Sequence, residues 1–209
     1  MSTEIEIKLR LPDERTAGRV MEDARVRAGL MTPFSETEMK SVYYDTAAGD
    51  IAERKWSLRV RLEGGVPVAS LKTLGQQENG LFSRSEWQVG AETIEQAIPL
   101  LIAQGAPPGL AGFADYEPKC EVEFVRSSAH LKLADDSVAE MAIDRGTLGA
   151  GEKKEPLLEL ELELLAGLPG AMTELAEWLE ERYELSREPA SKYVRALRLV
   201  RTRPINNEQ

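Results

Sequence analysis

EIEIKLRL, residues 4–11, and LLELELELL, residues 157–165, decide how this chain folds. In an extended strand successive side chains point to opposite faces. Glu4, Glu6 and Lys8 therefore share one face, and Ile5, Ile7, Leu9 and Leu11 the other. The second stretch repeats the pattern, with Glu159, Glu161 and Glu163 on one side of a leucine face. A charged face on one such strand ordinarily meets water. Two features argue for a different arrangement here. Helices with apolar stripes must pack on something, and the strands' apolar faces are their natural partners. The charges also come in blocks. Acidic groups dominate the first strand, AEMAID (139–144) and ELELEL (159–164), whereas basic groups dominate RVR (59–61) and ASLK (69–72), with RSE (84–86) mixed. Helices outside would leave the charged faces lining a curled sheet, and only a wide, wet interior tolerates that many charges. Such segregation suits one large anion, held through metal on its acidic side and directly on its basic side.

The remaining elements fit that scheme. Asp13 reads as the N-cap of a helix through about Leu30, and a polar-alternating strand covers Lys40–Asp45. WSLRVRLEGG opposes Trp56, Leu58, Val60 and Leu62 to Ser57, Arg59, Arg61 and Glu63, and Gly64-Gly65 signals a hairpin. VPVASLKTL returns with Ser70 and Lys72 on one face, and a loop spans Gly75–Gly80. LFSRSEWQV then alternates with Arg84, Glu86 and Gln88 in register. A helix is expected over Glu92–Gln104, followed by an irregular GAPPG link at 105–109. CEVEFVR, AEMAIDRG and LELELELL supply three more strands, and two helical segments finish the chain, the second opened by Pro189. About eight strands with tight turns and a few helices predict an α+β fold built on one antiparallel barrel or curled sheet. Residues 1–203 are expected to form this single domain and 204–209 a tail.

Composition narrows the function. The 26 Lys and Arg against 36 Asp and Glu give a net charge of −10, which argues against nucleic acid or anionic membrane as partners. No apolar run approaches a membrane span, and Glu4 follows the start at once, so the expectation is a cytoplasmic protein without signal peptide or membrane segment. Cys120 and His130 are single, which excludes an intrachain disulfide and a Cys/His zinc cage. Any metal is then a hard ion held by carboxylates, Mg²⁺ or Mn²⁺. Oligomeric state is not readable.

The opening Glu-x-Glu-x-Lys resembles the signature of the CYTH superfamily, the triphosphate tunnel metalloenzymes. The resemblance continues in order through VYYDT (42–46), SLRVR (57–61), SLKT (70–73), SRSEWQV (83–89), EFVR (123–126), AEMAIDRG (139–146), EPLLELELELLAG (155–167) and SK (191–192). Within the family the last long stretches look most like the bacterial inorganic triphosphatases. The resemblance implies an eight-stranded antiparallel tunnel with charged walls and flanking helices. It also implies hydrolysis of inorganic triphosphate to pyrophosphate and phosphate with Mg²⁺ or Mn²⁺.

Phosphoryl transfer depends mostly on positioning and charge neutralisation, so roles can be assigned by charge. Lys8, Arg59, Arg61, Lys72, Arg84 and Arg126, with Lys192 near the tunnel mouth, are the expected substrate-binding groups. Glu4, Glu6, Asp144, Glu159, Glu161 and Glu163 are the expected metal ligands, and Lys8 and Lys192 the catalytic cations. Glu86 is expected to orient Arg84. Trp56, Trp87, Trp178 and Cys120 read as packing residues, one of Tyr43 and Tyr44 as packed with the other near the lumen, and His130 as surface. The alternatives are another triphosphate enzyme of this scaffold (thiamine triphosphatase, nucleoside triphosphatase or class IV adenylate cyclase), a noncatalytic polyphosphate-binding module, or a ligand-free structural barrel. A complete carboxylate set argues against a module that only binds.

Overall fold

The sheet closes where one strand finds two partners. In the computed structural model, which describes residues 2–73, 76–78 and 81–201, β1 (Ser2–Arg10) pairs antiparallel with β9 (Lys153–Ala166) through Glu6–Arg10. Its first residues, Ser2–Glu6, pair instead with β6 (Leu81–Gly90). Between these two run β2 (Ser35–Thr46), β3 (Ser57–Glu63), β4 (Val66–Lys72), β7 (Tyr116–Lys132) and β8 (Val138–Ala150). Around the ring the order is β1-β9-β8-β7-β2-β3-β4-β6, back to β1, an eight-stranded antiparallel barrel. Two short strands, β5 (Gln76–Glu78) and β10 (Ser186–Arg187), add to β6 and β1. Part of the expected loop at 75–80 is thus strand, while Gly75, Asn79 and Gly80, like the 204–209 tail, lie outside the described residues.

Local chemistry explains the turns. Gly64 and Gly65 adopt φ of 55° and 87°, the double left-handed geometry a two-residue hairpin needs. At Gly146 on β8 a methyl group would stand 2.0 Å from the Glu123 carbonyl oxygen, so only glycine lets β7 cross that closely. The predicted helix over 13–30 is in fact two, α1 (Glu14–Met21) and α2 (Ala24–Gly29). Asp13 accepts from the Thr16 N–H and Asp23 from the Arg25 N–H, so a second capping aspartate starts a new helix. α3 (Asp50–Glu53) is held by Asp45, whose carboxylate accepts from the Ile51 and Ala52 N–H groups. α4 (Ile94–Ala103) starts after Thr93, a 3₁₀ turn covers Pro108–Gly112, and α5 (Gly170–Tyr183) and α6 (Lys192–Arg201) end the fold. Pro189 lies before α6 rather than in its first turn; Ser191 Oγ accepts from the Val194 N–H and starts the helix.

Three apolar clusters show which way the strands face. Outside the β1-β9-β8 wall, Ile7, Leu9, Met141, Ile143, Leu160 and Leu162 pack against Val20, Leu175 and Leu179 of the helices. Outside β3, β4 and β6, Leu58, Leu71 and Trp87 meet Ile94, Ala97 and Leu101 of α4. Removing a fully buried core leucine such as Leu160 costs about 2–5 kcal/mol. The third cluster lies on the inner face: Met39, Tyr43, Cys120, Val122, Phe124, Leu148 and Leu157 receive Tyr193 and Ala196 of α6. The inner surface is therefore charged over part of its length only. Helical spacing predicts one buried stripe of Tyr193, Val194, Leu197 and Val200, but α6 turns Tyr193 and Ala196 inward and leaves Val194 and Val200 exposed. Trp56 and Trp178 are partly buried packing residues, and His130 is exposed, as expected. No helix among the described residues is long and apolar enough to cross a membrane.

Candidate active site

The alternating strands deliver their charges to one bore. Glu4, Glu6, Lys8, Arg59, Arg61, Lys72, Arg84, Arg126, Glu161, Glu163 and Lys192 line it together with Tyr43 and Glu86. Asp144 and Glu159 stand at its wall, both fully buried. All thirteen predicted site residues thus converge. Strand order explains the segregation: β1, β9 and β8 are neighbours and form an acidic wall, and β3, β4 and β6 complete the opposite, mainly basic side.

On the acidic wall, carboxylate oxygens of Asp144, Glu159 and Glu161 lie within 4.8 Å of one another. The register opposes Asp144 to Glu159 and Ala142 to Glu161, and the small Ala142 leaves room for the approach. Lys192 was expected near the mouth, but α6 carries it inward. Its ammonium lies 2.7 Å from Asp144 Oδ2, 2.5 Å from Glu159 Oε1 and 2.8 Å from Glu161 Oε1. Arg126, opposite Asp144 in the ladder, grips that carboxylate with two hydrogen bonds of 2.8 and 2.7 Å and also reaches Glu161. Burial works against the charged form of Glu161, yet Lys192, Arg126 and Lys8 hold its carboxyl well below the usual range. Glu159 goes the other way: burial, with Glu161 and Asp144 alongside, raises it despite Lys192. Three converging carboxylates that already seat an ammonium are the donor set a hard divalent ion takes.

Glu4 and Glu6 meet cations from β1, β4 and β6 at the closure. Lys72 Nζ is 2.6 Å from Glu4, Lys8 Nζ is 2.9 Å from Glu6, and Arg84 contacts Glu6. Burial opposes ionisation of Glu6, but Lys8, Lys72 and Arg84 outweigh it and hold the carboxyl at about 2. Glu163 is pushed up to about 7 by burial and by Glu4, Glu161 and Glu6, against the pull of Lys72. Across the bore, Arg59 Nε donates to Ser70 Oγ at 3.0 Å and Nη1 to Tyr43 Oη at 3.4 Å, while Arg61 pairs with Glu63. Glu86 approaches Lys72 at 3.6 Å and Arg59 at 3.8 Å, so these are the cations it orients.

The CYTH domain profile matches residues 2–197. The chain belongs to the CYTH family. A curated relative from Haemophilus influenzae, an inorganic triphosphatase, is 29% identical over 157 residues, 73% of this chain and 43% of the relative. The match therefore spans less than half the length of that relative. Among solved structures, a Hippeastrum adenylyl cyclase candidate with a dominant triphosphatase activity superposes with TM-score 0.64 at 21% identity, covering 97% of this chain and 99% of the other. A protein of Pyrococcus horikoshii OT3 gives 0.58 at 19% identity, covering 93% and 98%. An adenylate cyclase candidate of Vibrio parahaemolyticus gives 0.54 at 18%, covering 94% and 98%. At these identities the structures attest the CYTH fold alone.

Sequence reasoning missed several residues at the site. Tyr193 lines the bore and stacks on Tyr43 at 5.0 Å, which only the placement of α6 shows; Tyr43 itself is the member of the expected tyrosine pair that reaches the lumen, and Tyr44 packs beside the α4 cluster. Arg195 follows Lys192 at helical spacing and pairs with Glu159 at 2.8 Å; that spacing was the available signal. Buried Glu188 meets Arg10 and the Ala190 N–H.

Proposed function

We propose that this protein hydrolyses inorganic triphosphate to pyrophosphate and phosphate in a reaction dependent on Mg²⁺ or Mn²⁺. The observation that carries the reading is the division of one bore into a carboxylate trio and an opposing set of arginines and lysines. Asp144, Glu159 and Glu161 would hold the cation, and Glu4, Glu6 and Glu163, which line the same bore, would be the carboxylates available to a second ion. A bound divalent ion neutralises phosphate oxygens and activates water. Arg59 and Arg61 grip phosphate oxygens in forked fashion, and Lys72 and Arg84 add charge along the chain of phosphates. Lys8 and Lys192 stand where charge develops on the transferred and leaving groups. Relatives that act on triphosphates support the reading, and the complete acidic wall favours turnover over binding alone.

A second reading, a triphosphate bearing an organic group, has one observation in its favour. A cavity of about 330 Å³ adjoins the bore, sharing Ser57, Lys72, Arg84, Ser191 and Tyr193 with it, and is walled by Ala52, Trp56, Val194 and Leu197. Orthophosphate release from tripolyphosphate, ATP and thiamine triphosphate, each with Mg²⁺, Mn²⁺ or chelator, separates the two. Metal-dependent turnover best on tripolyphosphate supports the main reading. Binding without metal-dependent turnover would make the protein a module, and cyclic AMP from ATP would make it a cyclase.

A further inference from the structure

Arg195 stands behind the carboxylate trio, outside the set of groups that line the bore. It is 7% exposed and its guanidinium is shared among three carboxylates. Nη1 donates to Glu159 Oε2 at 2.8 Å, Nη2 donates to Glu155 Oε1 at 3.0 Å, and Nε lies 3.9 Å from Glu188 Oε2. Glu159 thus has its rear oxygen fixed by Arg195 and its front oxygen, Oε1, turned to the point that Lys192 occupies between Asp144 and Glu161.

We propose that Arg195 is a positioning residue for the cation seat: it clamps Glu159 from behind so that Oε1 is presented, together with Asp144 and Glu161, to a divalent ion. The inference rests on the reading of that trio as the metal ligands. Nη1 gives Glu159 one charge-assisted hydrogen bond, and a rigid planar guanidinium aims such a bond more sharply than a rotating ammonium does. Groups that hold a metal ligand by its far atom set its aim as much as the ligand's own backbone does. The charge of Arg195 does not oppose the ion strongly, because Glu155 and Glu188 face the same guanidinium. Glu188 is itself held by the Ala190 N–H at 2.9 Å and by Arg10, so the clamp has a fixed base.

Mn²⁺ binding to the metal-free protein, followed by electron paramagnetic resonance without substrate, tests this. Arg195→Gln and Arg195→Lys are both expected to weaken Mn²⁺ binding by about tenfold or more. Glu155→Gln removes the charge opposite the guanidinium's other nitrogen and leaves the Glu159 contact in place; it should shift binding by less than about twofold, as should Lys40→Ala on the exposed outer face. Circular dichroism and melting in chelator establish that each variant folds, and either Arg195 variant that folds carries the comparison. Mn²⁺ binding as tight as, or tighter than, wild type in the Arg195 variants would overturn the inference alone. So would a loss no larger than that of Glu155→Gln, or the failure of both variants to fold, which would make Arg195 a residue of the fold. A wild-type protein that binds no Mn²⁺ would overturn the trio as a metal site, and the inference with it.

Discussion

On the acidic wall, each carboxylate of the trio already meets cations of the protein's own, Lys192 and Arg126 or Arg195. On the basic wall, Arg59 leans on a hydroxyl and a phenol, and Arg61 on the half-buried Glu63. Arg61 Nε is buried without a hydrogen-bond partner among the described residues, and burial, with Arg59 and Arg126 nearby, lowers its guanidinium to about 10. Buried arginine seldom departs from full protonation, so the direction marks a local shortage of negative charge at Arg61. Glu163, lifted to about 7, marks the reverse shortage on the acidic side. One wall uses internal cations where an ion would sit, and the other leaves Arg61 short of an anion, its buried Glu86 being shared by Lys72 and Arg59. A divalent cation and a polyphosphate bound together correct both.

The largest test of this contrast falls on the acidic wall. Glu161→Gln and Glu4→Gln should each cut tripolyphosphate turnover at saturating substrate by at least about 100-fold while circular dichroism stays native. A loss of folding in both would show that these carboxylates serve the scaffold instead. On the basic wall Arg59→Ala should lower kcat/KM by about 10–100-fold, mostly through KM, since charged hydrogen bonds to the substrate are lost. Unchanged KM and kcat would remove Arg59 from the site.

A smaller effect comes from Glu163. Its folded-state pKa lies above the unfolded value of 4.5, so the folded form holds a proton up to about 7 that the unfolded form has released. Stability attached to that proton is present at low pH and falls as pH rises through this window. Glu163→Gln, which mimics the protonated group, should therefore raise the melting temperature in chelator at pH 8 and leave it near wild type at pH 4. An equal shift at both pH values would place the effect elsewhere. The smallest change is expected outside the barrel, where Lys40 and Glu123 form an ion pair with both side chains more than half exposed. Lys40→Ala should alter stability by less than about 1 kcal/mol and leave turnover untouched. A large loss in either would undo the distinction between inner and outer charges.

Sidedness was open to inference from sequence because it is a local property. The period of two puts Glu4, Glu6 and Lys8, or Arg59 and Arg61, on one face whatever the strand pairs with. Closure was not, since nothing in Ser2–Arg10 tells that its first half pairs with β6 and its second with β9. The depth of Lys192 was hidden for the same reason: a helix reveals that Lys192 and Arg195 share a side, and long-range packing decides what that side meets. The break after Met21 was missed because Asp23 reads as an ordinary surface residue until the helix it caps is seen. The apolar inner cluster escaped because Cys120, Val122 and Phe124 share the parity of Arg126, and only α6 separates the greasy part of that face from the charged part.

The most direct measurement is a crystal structure of the protein with Mn²⁺ and tripolyphosphate, using anomalous scattering to place the ion. The expected result is a manganese peak ligated by Asp144, Glu159 and Glu161, the Lys192 ammonium withdrawn from that point, and phosphates spanning to Arg59 and Arg61. Manganese and phosphate bound only on the outer faces of the strands, with Lys192 still seated among the three carboxylates, would contradict it.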